Sequence, residues 1–101
     1  MQFIITGYDG TDSEAMERRM ACRPAHLKSV EENFLAGRHL FGAALLGEKG
    51  ELKGSLMIVD YPSREELDGW LKKEPYVTGD VWKTIDIKEC KVADIFMKLY
   101  E

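Results

Sequence analysis

The order of short apolar segments along this chain restricts its fold more than any other feature. Four segments are rich in aliphatic, β-branched and aromatic residues, and an amphipathic helical segment follows the first and the third of them. The predicted strands cover residues 3–8, 40–46 and 55–61, with a fourth inside 81–90. The order β-α-β-β-α-β predicts a ferredoxin-like α+β fold, in which one antiparallel sheet carries both helices on one face. Residues 1–101 are expected to form a single domain of this kind.

The first helical segment carries a start signal, an apolar stripe and a proline. Residues 11–13 offer N-cap side chains, and Leu27, Val30 and Phe34 are spaced as a stripe that faces a core. Pro24 lies between them and is expected to interrupt or restart the helix, because proline lacks the backbone N–H. We therefore expect a break near this proline, followed by a helix that packs on the sheet through the stripe.

The second helical segment and the C-terminus are also marked by local signals. Ser63 and Glu66 have the spacing of a capping box, which predicts the start of the second helix. The tripeptide at 74–76 contains a proline that should end this helical region. Residues 92–100 are predicted to form a further extended segment.

The first and third predicted strands are apolar on both faces, which two helices on one face cannot explain. In the first strand, for example, Ile4 lies between Phe3 and Ile5. A sheet with one face in water alternates apolar and polar residues instead. We therefore predict that the second face packs against a second copy of the chain, giving a homodimer with its sheets face to face.

Composition and motif content argue against several classes of function. The net charge of −4 makes a broad nucleic-acid-binding surface unexpected. No apolar run approaches the roughly 20 residues of a membrane span, and the N-terminal residues lack a signal-peptide pattern. Cys22 and Cys90 form neither a CxxC pair nor a cluster with histidine, so we expect no metal site and reduced thiols in the cytoplasm. Nucleotide-binding glycine motifs are absent, and no cofactor is expected.

A cation–imidazole pattern is the strongest candidate for chemistry. Arg19, Arg23 and His26 are spaced i, i+4 and i+7, which places them on one face of a helix. Two such arginines suit bidentate binding of a carboxylate, so the expected ligand is a small anionic molecule. If Pro24 starts a new helix, the helix dipole and the arginines favour a neutral His26, which is competent as a general acid or base. His39 belongs to no such pattern and is expected to be structural or exposed.

Two simpler interpretations of the same pattern stay open. His26 could be a core histidine that is hydrogen-bonded to a strand. Arg19 and Arg23 could be ion-pair partners of nearby surface glutamates, and pairs of that kind contribute only ~0.2–1 kcal/mol each.

Further candidate side chains stand where the chain turns. Glu74 and Tyr76 flank Pro75, which presents the carboxylate and the hydroxyl at a defined place. Ser55 follows Gly54 at the start of a strand, where glycine permits close backbone approach and serine offers a donor and an acceptor. The alternative is a hairpin-terminal serine without a function.

The sequence R-x-x-x-R-P-A-H-L from Arg19 to Leu27 resembles the YciI-like (YCII-related) family. The resemblance covers nearly the whole chain, including the first strand, Glu17, Gly37-Arg38, Gly54-Ser55 and Pro75-Tyr76. It implies a ferredoxin-like fold that dimerises as an α/β barrel, with an active site built around His26 and a nearby acidic residue. Family members usually carry aspartate before the Pro-Tyr turn, where this chain has the longer Glu74. Related dimeric barrels suggest lyase or isomerase chemistry on small unsaturated acids.

Two hypotheses about function follow. In the first, the chain is a small cofactor-independent lyase or isomerase, in which His26 is the general acid/base and Glu74 orients it or carries a second proton. The side chains expected to contact the substrate are Arg19, Arg23, Ser55 and Tyr76. In the second, the chain is a non-catalytic module of the same dimeric fold that binds a small anion or docks on a partner.

Overall fold

The computed structural model of the protein describes every residue from 1 to 101. The elements are β1 Gln2–Asp9, α1 Ala15–Leu35, β2 His39–Leu46, β3 Leu52–Asp60, α2 Arg64–Leu71, α3 Pro75–Thr78, β4 Trp82–Cys90 and α4 Asp94–Met97, followed by a 3-10 turn at Lys98–Tyr100. The strands form one sheet in the order β2-β3-β1-β4, and every neighbouring pair is antiparallel. This topology confirms the predicted ferredoxin-like α+β fold.

The core lies between the central strands and the helices. Phe3 and Ile5 of β1 stand opposite Val59 and Met57 of β3, and all four side chains are buried. Helix α2 closes this layer with Leu67, which is fully buried. Burying an aliphatic or phenylalanine side chain of this size stabilises a fold by roughly 1.5–3 kcal/mol, so this layer holds the sheet and α2 together.

Helix α1 runs without a break through Pro24, so the predicted interruption at this residue is wrong. Pro24 itself is exposed, but buried side chains hold the helix on both sides of it, with Arg19 before and His26 after. Tertiary packing along one face thus outweighs the missing backbone hydrogen bond. Because His26 lies in the interior of a 21-residue helix, the helix-start argument for a neutral imidazole does not apply.

The buried face of α1 is largely polar, so the predicted apolar core stripe is also wrong. The buried residues of the helix are Ala15, Arg19, His26 and Asn33. By contrast, Leu27 is 46% exposed and Phe34 is 51% exposed. These apolar side chains stay outside the core because a cavity separates α1 from β2, and they line that cavity.

The second face of the sheet carries apolar side chains that no helix covers. Ile58 pairs with Ile4 on one side and with Phe41 on the other, so an apolar row crosses three strands. Ile4 and Ile58 are half-buried, and Phe41 is 57% exposed. This is the two-faced pattern expected from the sequence. No helix of the structure has the length and apolar character needed to cross a membrane.

The C-terminal residues form α4 and a 3-10 turn, so the predicted extended segment at 92–100 is wrong. The reason is that β4 runs out of a partner, because Cys90 already pairs with Gln2, the first residue of β1. The chain then turns across this end of the sheet. The backbone N–H of Val92 donates to the Gln2 side chain at 2.6 Å, and the Tyr100 hydroxyl donates to the Leu40 carbonyl.

Candidate active site

A cavity of about 540 Å³ opens between α1 and strands β2 and β3. Small residues on the helix-facing side of β2 leave this space open, namely Gly42 and Ala44. Much of the wall is apolar, and its polar members are Arg19, Arg23, His26, His39, Ser55 and Tyr76. A largely apolar cavity of this size with a few convergent polar groups is typical of a small-molecule site.

His26 and Glu74, 48 residues apart in the chain, meet at the cavity wall. His26 Nδ1 and Glu74 Oε1 form a buried hydrogen bond, and Glu74 is completely inaccessible to solvent. Glu74 is the N-cap of α3, and its Oε2 accepts a hydrogen bond from the Tyr76 backbone N–H at 2.6 Å. Pro75 at the first helical position fixes this turn, so the longer carboxylate side chain still reaches the imidazole.

The imidazole is also held by aromatic contacts. The Tyr76 ring stacks on His26 with centroids 3.8 Å apart and planes 12° apart, and Trp82 meets His26 edge-on at 6.2 Å. With Nδ1 bonded to Glu74, Nε2 has no protein hydrogen-bond partner, and it is not among the polar atoms sealed from solvent. Nε2 is therefore the nitrogen that a molecule in the cavity can reach.

Arg19 is bonded into the protein. Its Nη1 donates to both carboxylate oxygens of Asp9 at 2.9 and 3.0 Å, and its Nη2 donates to Ser55 Oγ at 3.0 Å. The guanidinium carbon also lies 4.8 Å from the centroid of the Tyr76 ring. Because Asp9 neutralises it, Arg19 is not the free anion clamp that the sequence suggested. It links the end of β1 and an interior residue of β3 to the site.

Arg23 differs from Arg19 although the two lie one turn apart. Its side chain is exposed at the cavity and makes no hydrogen bond or ion pair. It is therefore a cationic group at the cavity that remains free to meet an anion. Burial raises the pKa of Tyr76, and Arg19 and Arg23 oppose this shift without cancelling it. The Tyr76 hydroxyl consequently stays protonated at neutral pH and can act as a donor.

Two residues of this region were given no site function by the sequence analysis. Asp9 directly follows the predicted first strand, and its acidic side chain is the only sequence signal for the ion pair with Arg19. His39 is buried in the cavity wall rather than exposed, and neither ring nitrogen has a hydrogen-bond partner. Across the chain, no group of three or more His, Cys, Asp or Glu side chains is arranged to hold a metal ion.

The sequence profile of the YCII-related domain family matches residues 1–91 of the chain. Protein YciI of Escherichia coli O6:H1 is 30% identical over 98 residues, which cover 90% of this chain and 97% of that protein. Protein YciI of Shigella flexneri matches with the same identity and coverage.

Two solved structures show what the fold is similar to. One is 5-chloro-2-hydroxyhydroquinone dehydrochlorinase (TftG) from Burkholderia phenoliruptrix AC1100, in complex with 2,5-dihydroxybenzoquinone. It has a TM-score of 0.80 and 21% identity over 94% of this chain and 98% of that chain. The other is a dimeric ferredoxin-like protein of unknown function from Jannaschia sp. CCS1, with a TM-score of 0.53 and 13% identity over 90% and 98% of the two chains. At these identities the likeness shows a shared fold.

Proposed function

The chain belongs to the YCII-related domain family, and we propose that it is a cofactor-independent lyase or isomerase that moves a proton on a small carboxylate-bearing substrate. One observation carries this proposal. His26 is held through Nδ1 by the buried Glu74, which leaves Nε2 available at a cavity of ligand size. An imidazole oriented by a carboxylate on one nitrogen and open on the other is a suitable general acid/base.

The proposed step is a redox-neutral proton transfer. His26 Nε2 removes a proton from a carbon next to an electron-withdrawing group of the substrate, and the C–H electron pair becomes a double bond. In a lyase the leaving group departs with its own bonding pair; in an isomerase the imidazolium returns the proton to another carbon. Glu74 stabilises the imidazolium that forms, since its carboxylate is already hydrogen-bonded to Nδ1.

Arg23 is the proposed anion contact. Its guanidinium is unpaired at the cavity, and a guanidinium binds a carboxylate in a bidentate manner. Tyr76 and Ser55 supply polar contacts beside it. Arg19 acts as a positioning group, because its donors hold Asp9 and Ser55.

The similarity to TftG supports the choice of reaction class. That protein is a dehydrochlorinase, so its reaction is an elimination, which is lyase chemistry. Its bound molecule is a small oxygenated ring, a kind of compound that fits a cavity with apolar walls and a few polar groups.

We also propose that the protein is a homodimer that covers the apolar row of the open sheet face, which contains Ile4, Phe41 and Ile58. Exposed contiguous apolar surface of this kind marks an interaction site. Two of the similar solved structures are dimeric ferredoxin-like proteins, which supports a second copy as the occupant. Size-exclusion chromatography with light scattering should give twice the mass of 11.5 kDa at micromolar concentration. A monomer would overturn this part of the proposal.

Activity against a panel of small unsaturated and halogenated carboxylic acids tests the proposed reaction. Proton exchange with D₂O and halide release would be recorded by NMR and by halide assay. Because general acid–base catalysis contributes about 10²–10⁴-fold, His26→Asn should reduce turnover by at least about 10²-fold. Arg23→Ala should raise KM, and Lys28→Ala should change little, because Lys28 is exposed on the same helix outside the cavity.

The same panel separates an enzyme from a binding module. Turnover that survives His26→Asn would contradict the proposed acid/base. Binding of acids by wild type without turnover of any of them would favour the non-catalytic alternative. In that case His26→Asn should change affinity alone.

A further inference from the structure

His39 is the unexplained polar group of this cavity. The side chain is 97% buried, since only 3% of the residue's surface is exposed, and both ring nitrogens lack a hydrogen-bond partner. Buried polar groups are nearly always hydrogen-bonded, and an exception calls for an explanation such as a missing ligand or water. His39 also contributes to the wall of the same cavity as His26.

The surroundings of His39 seal both ring nitrogens from solvent without giving either one a hydrogen-bond partner. The ring meets Trp70 edge-on at 6.4 Å, which is an apolar contact. On the cavity side stands Gly42, and a Cβ at this position would lie 3.3 Å from His39 Nε2. Because residue 42 has no side chain, a small shift of the His39 ring is enough to present Nε2 to a ligand in the cavity.

The register of the sheet separates His39 from the arginine end of the cavity. Arg19 contacts Ser55, and His39 is opposite Val59, four residues further along β3. Four residues of a strand span about 13 Å. Helix α1 runs from the Ser55 end toward the Val59 end, because Asn33 further along it contacts Tyr61. Arg23, one turn of about 5 Å after Arg19, therefore stands roughly 8 Å from His39 along this direction.

The chemistry of His39 suits an uncharged group. Burial lowers the pKa of His39, with a smaller contribution from the charge of His26. The Phe41 backbone and the charge of Glu74 act in the opposite direction and raise the pKa, but they do not outweigh burial. A neutral imidazole offers one N–H and one lone pair, which match a hydroxyl group and, through the N–H, a carbonyl oxygen.

We propose that His39 is a second ligand-binding residue of this site, and that the substrate has an apolar body with an anionic group for Arg23 at one end and an uncharged hydroxyl or carbonyl oxygen for His39 at the other. The anionic end rests on the proposed function. The oxygen at the other end rests on the unpaired, buried His39 and on Gly42 beside it.

Calorimetric titration with benzoate, 3-hydroxybenzoate and 4-hydroxybenzoate tests this inference without any need for turnover. At least one hydroxybenzoate should bind wild type about fivefold or more tighter than benzoate does, as one added hydrogen bond to a buried unpaired group would give. His39→Leu should remove this preference and change benzoate affinity by no more than about twofold. Arg23→Ala should weaken all three acids alike, whereas Lys28→Ala should weaken none.

A second variant keeps the test independent of how His39→Leu folds. Gly42→Ala retains His39 but puts a methyl group against Nε2, so it should also abolish the hydroxyl preference. The inference is wrong if wild type shows no preference, if either variant keeps the preference, or if none of the three acids binds. Loss of turnover in His26→Asn is measured separately, so the proposed reaction and this inference can fail independently.

Discussion

Replacing Asp9 by alanine should destabilise the protein strongly, because it leaves Arg19 buried without a counter-charge. Both side chains are nearly inaccessible, at 4% and 5% exposure, and two hydrogen bonds join them. Removing one partner of a buried ion pair destabilises a protein by ~3–5 kcal/mol. A domain of this size is stable by only ~5–15 kcal/mol in total, so Asp9→Ala should remove a large share of the free energy of unfolding.

The chain contains a matched control for this prediction. Arg18 also binds an aspartate through two hydrogen bonds, at 2.8 and 2.7 Å, but Asp12 is half exposed. Water and salt screen this pair, so Asp12→Ala should reduce the free energy of unfolding by only a small fraction of the reduction that Asp9→Ala causes.

Urea unfolding followed by circular dichroism would measure both losses. Asp9→Ala should shift the midpoint to much lower urea at unchanged slope, and the difference should persist at high salt. Asp9→Asn should recover part of the loss, because its amide oxygen can still accept from Arg19. Equal losses in Asp9→Ala and Asp12→Ala would refute the reasoning, since Arg19 would then be no more than a surface ion-pair partner.

Three further predictions concern packing, pH and assembly. Gly7→Ala should destabilise the protein by ~1–3 kcal/mol, because the added Cβ would overlap the Trp82 ring. Gly69→Ala on α2 adds a Cβ that contacts nothing, so it should be neutral or stabilise the protein by up to ~1 kcal/mol. Thermal unfolding measures both changes. Burial, and to a lesser extent the charge of His26, keeps the pKa of His39 below its ordinary 6.5. As the pH falls, His39 is therefore protonated in the unfolded chain before it is protonated in the folded protein, and this difference favours unfolding. Wild type should lose more stability between about pH 7 and about pH 5 than His39→Leu does, and an equal loss would contradict this. Ile58→Lys should convert the proposed dimer to monomer in light scattering, and an unchanged mass would place the interface elsewhere.

The strands and the fold class could be predicted because their signals are local and mutually consistent. Alternating or two-faced apolar runs marked all four strands, and Ser63 caps α2 as its spacing indicated, with Oγ accepting from the Glu66 N–H at 3.1 Å. The order of these strands and helices along the chain is then compatible with few sheet topologies. The pairing of His26 with Glu74 was expected from the family likeness, whereas the spacing of Arg19, Arg23 and His26 came from the helix period alone.

The errors have a common physical origin in contacts between distant parts of the chain. Pro24 does not end α1, because side chains buried on both sides of it hold the helix to the sheet and to α3. Leu27 and Phe34 do not face the core, because they line a cavity that exists only once β2 stands beside α1. The environment of His39 likewise depends on a strand pairing that its neighbours in the sequence do not reveal.

The most direct test of the account is the tautomer of His26. The protein has two histidines, so His39→Leu leaves only the His26 ring in a long-range proton–nitrogen NMR spectrum of histidine-labelled protein. The account predicts that the neutral ring carries its proton on Nδ1, toward Glu74, and that Nε2 is unprotonated and shifts when a carboxylic acid of the binding series is added. A neutral ring protonated on Nε2, with Nδ1 bare, would contradict it, because the nitrogen at the cavity would then have no lone pair with which to accept a proton.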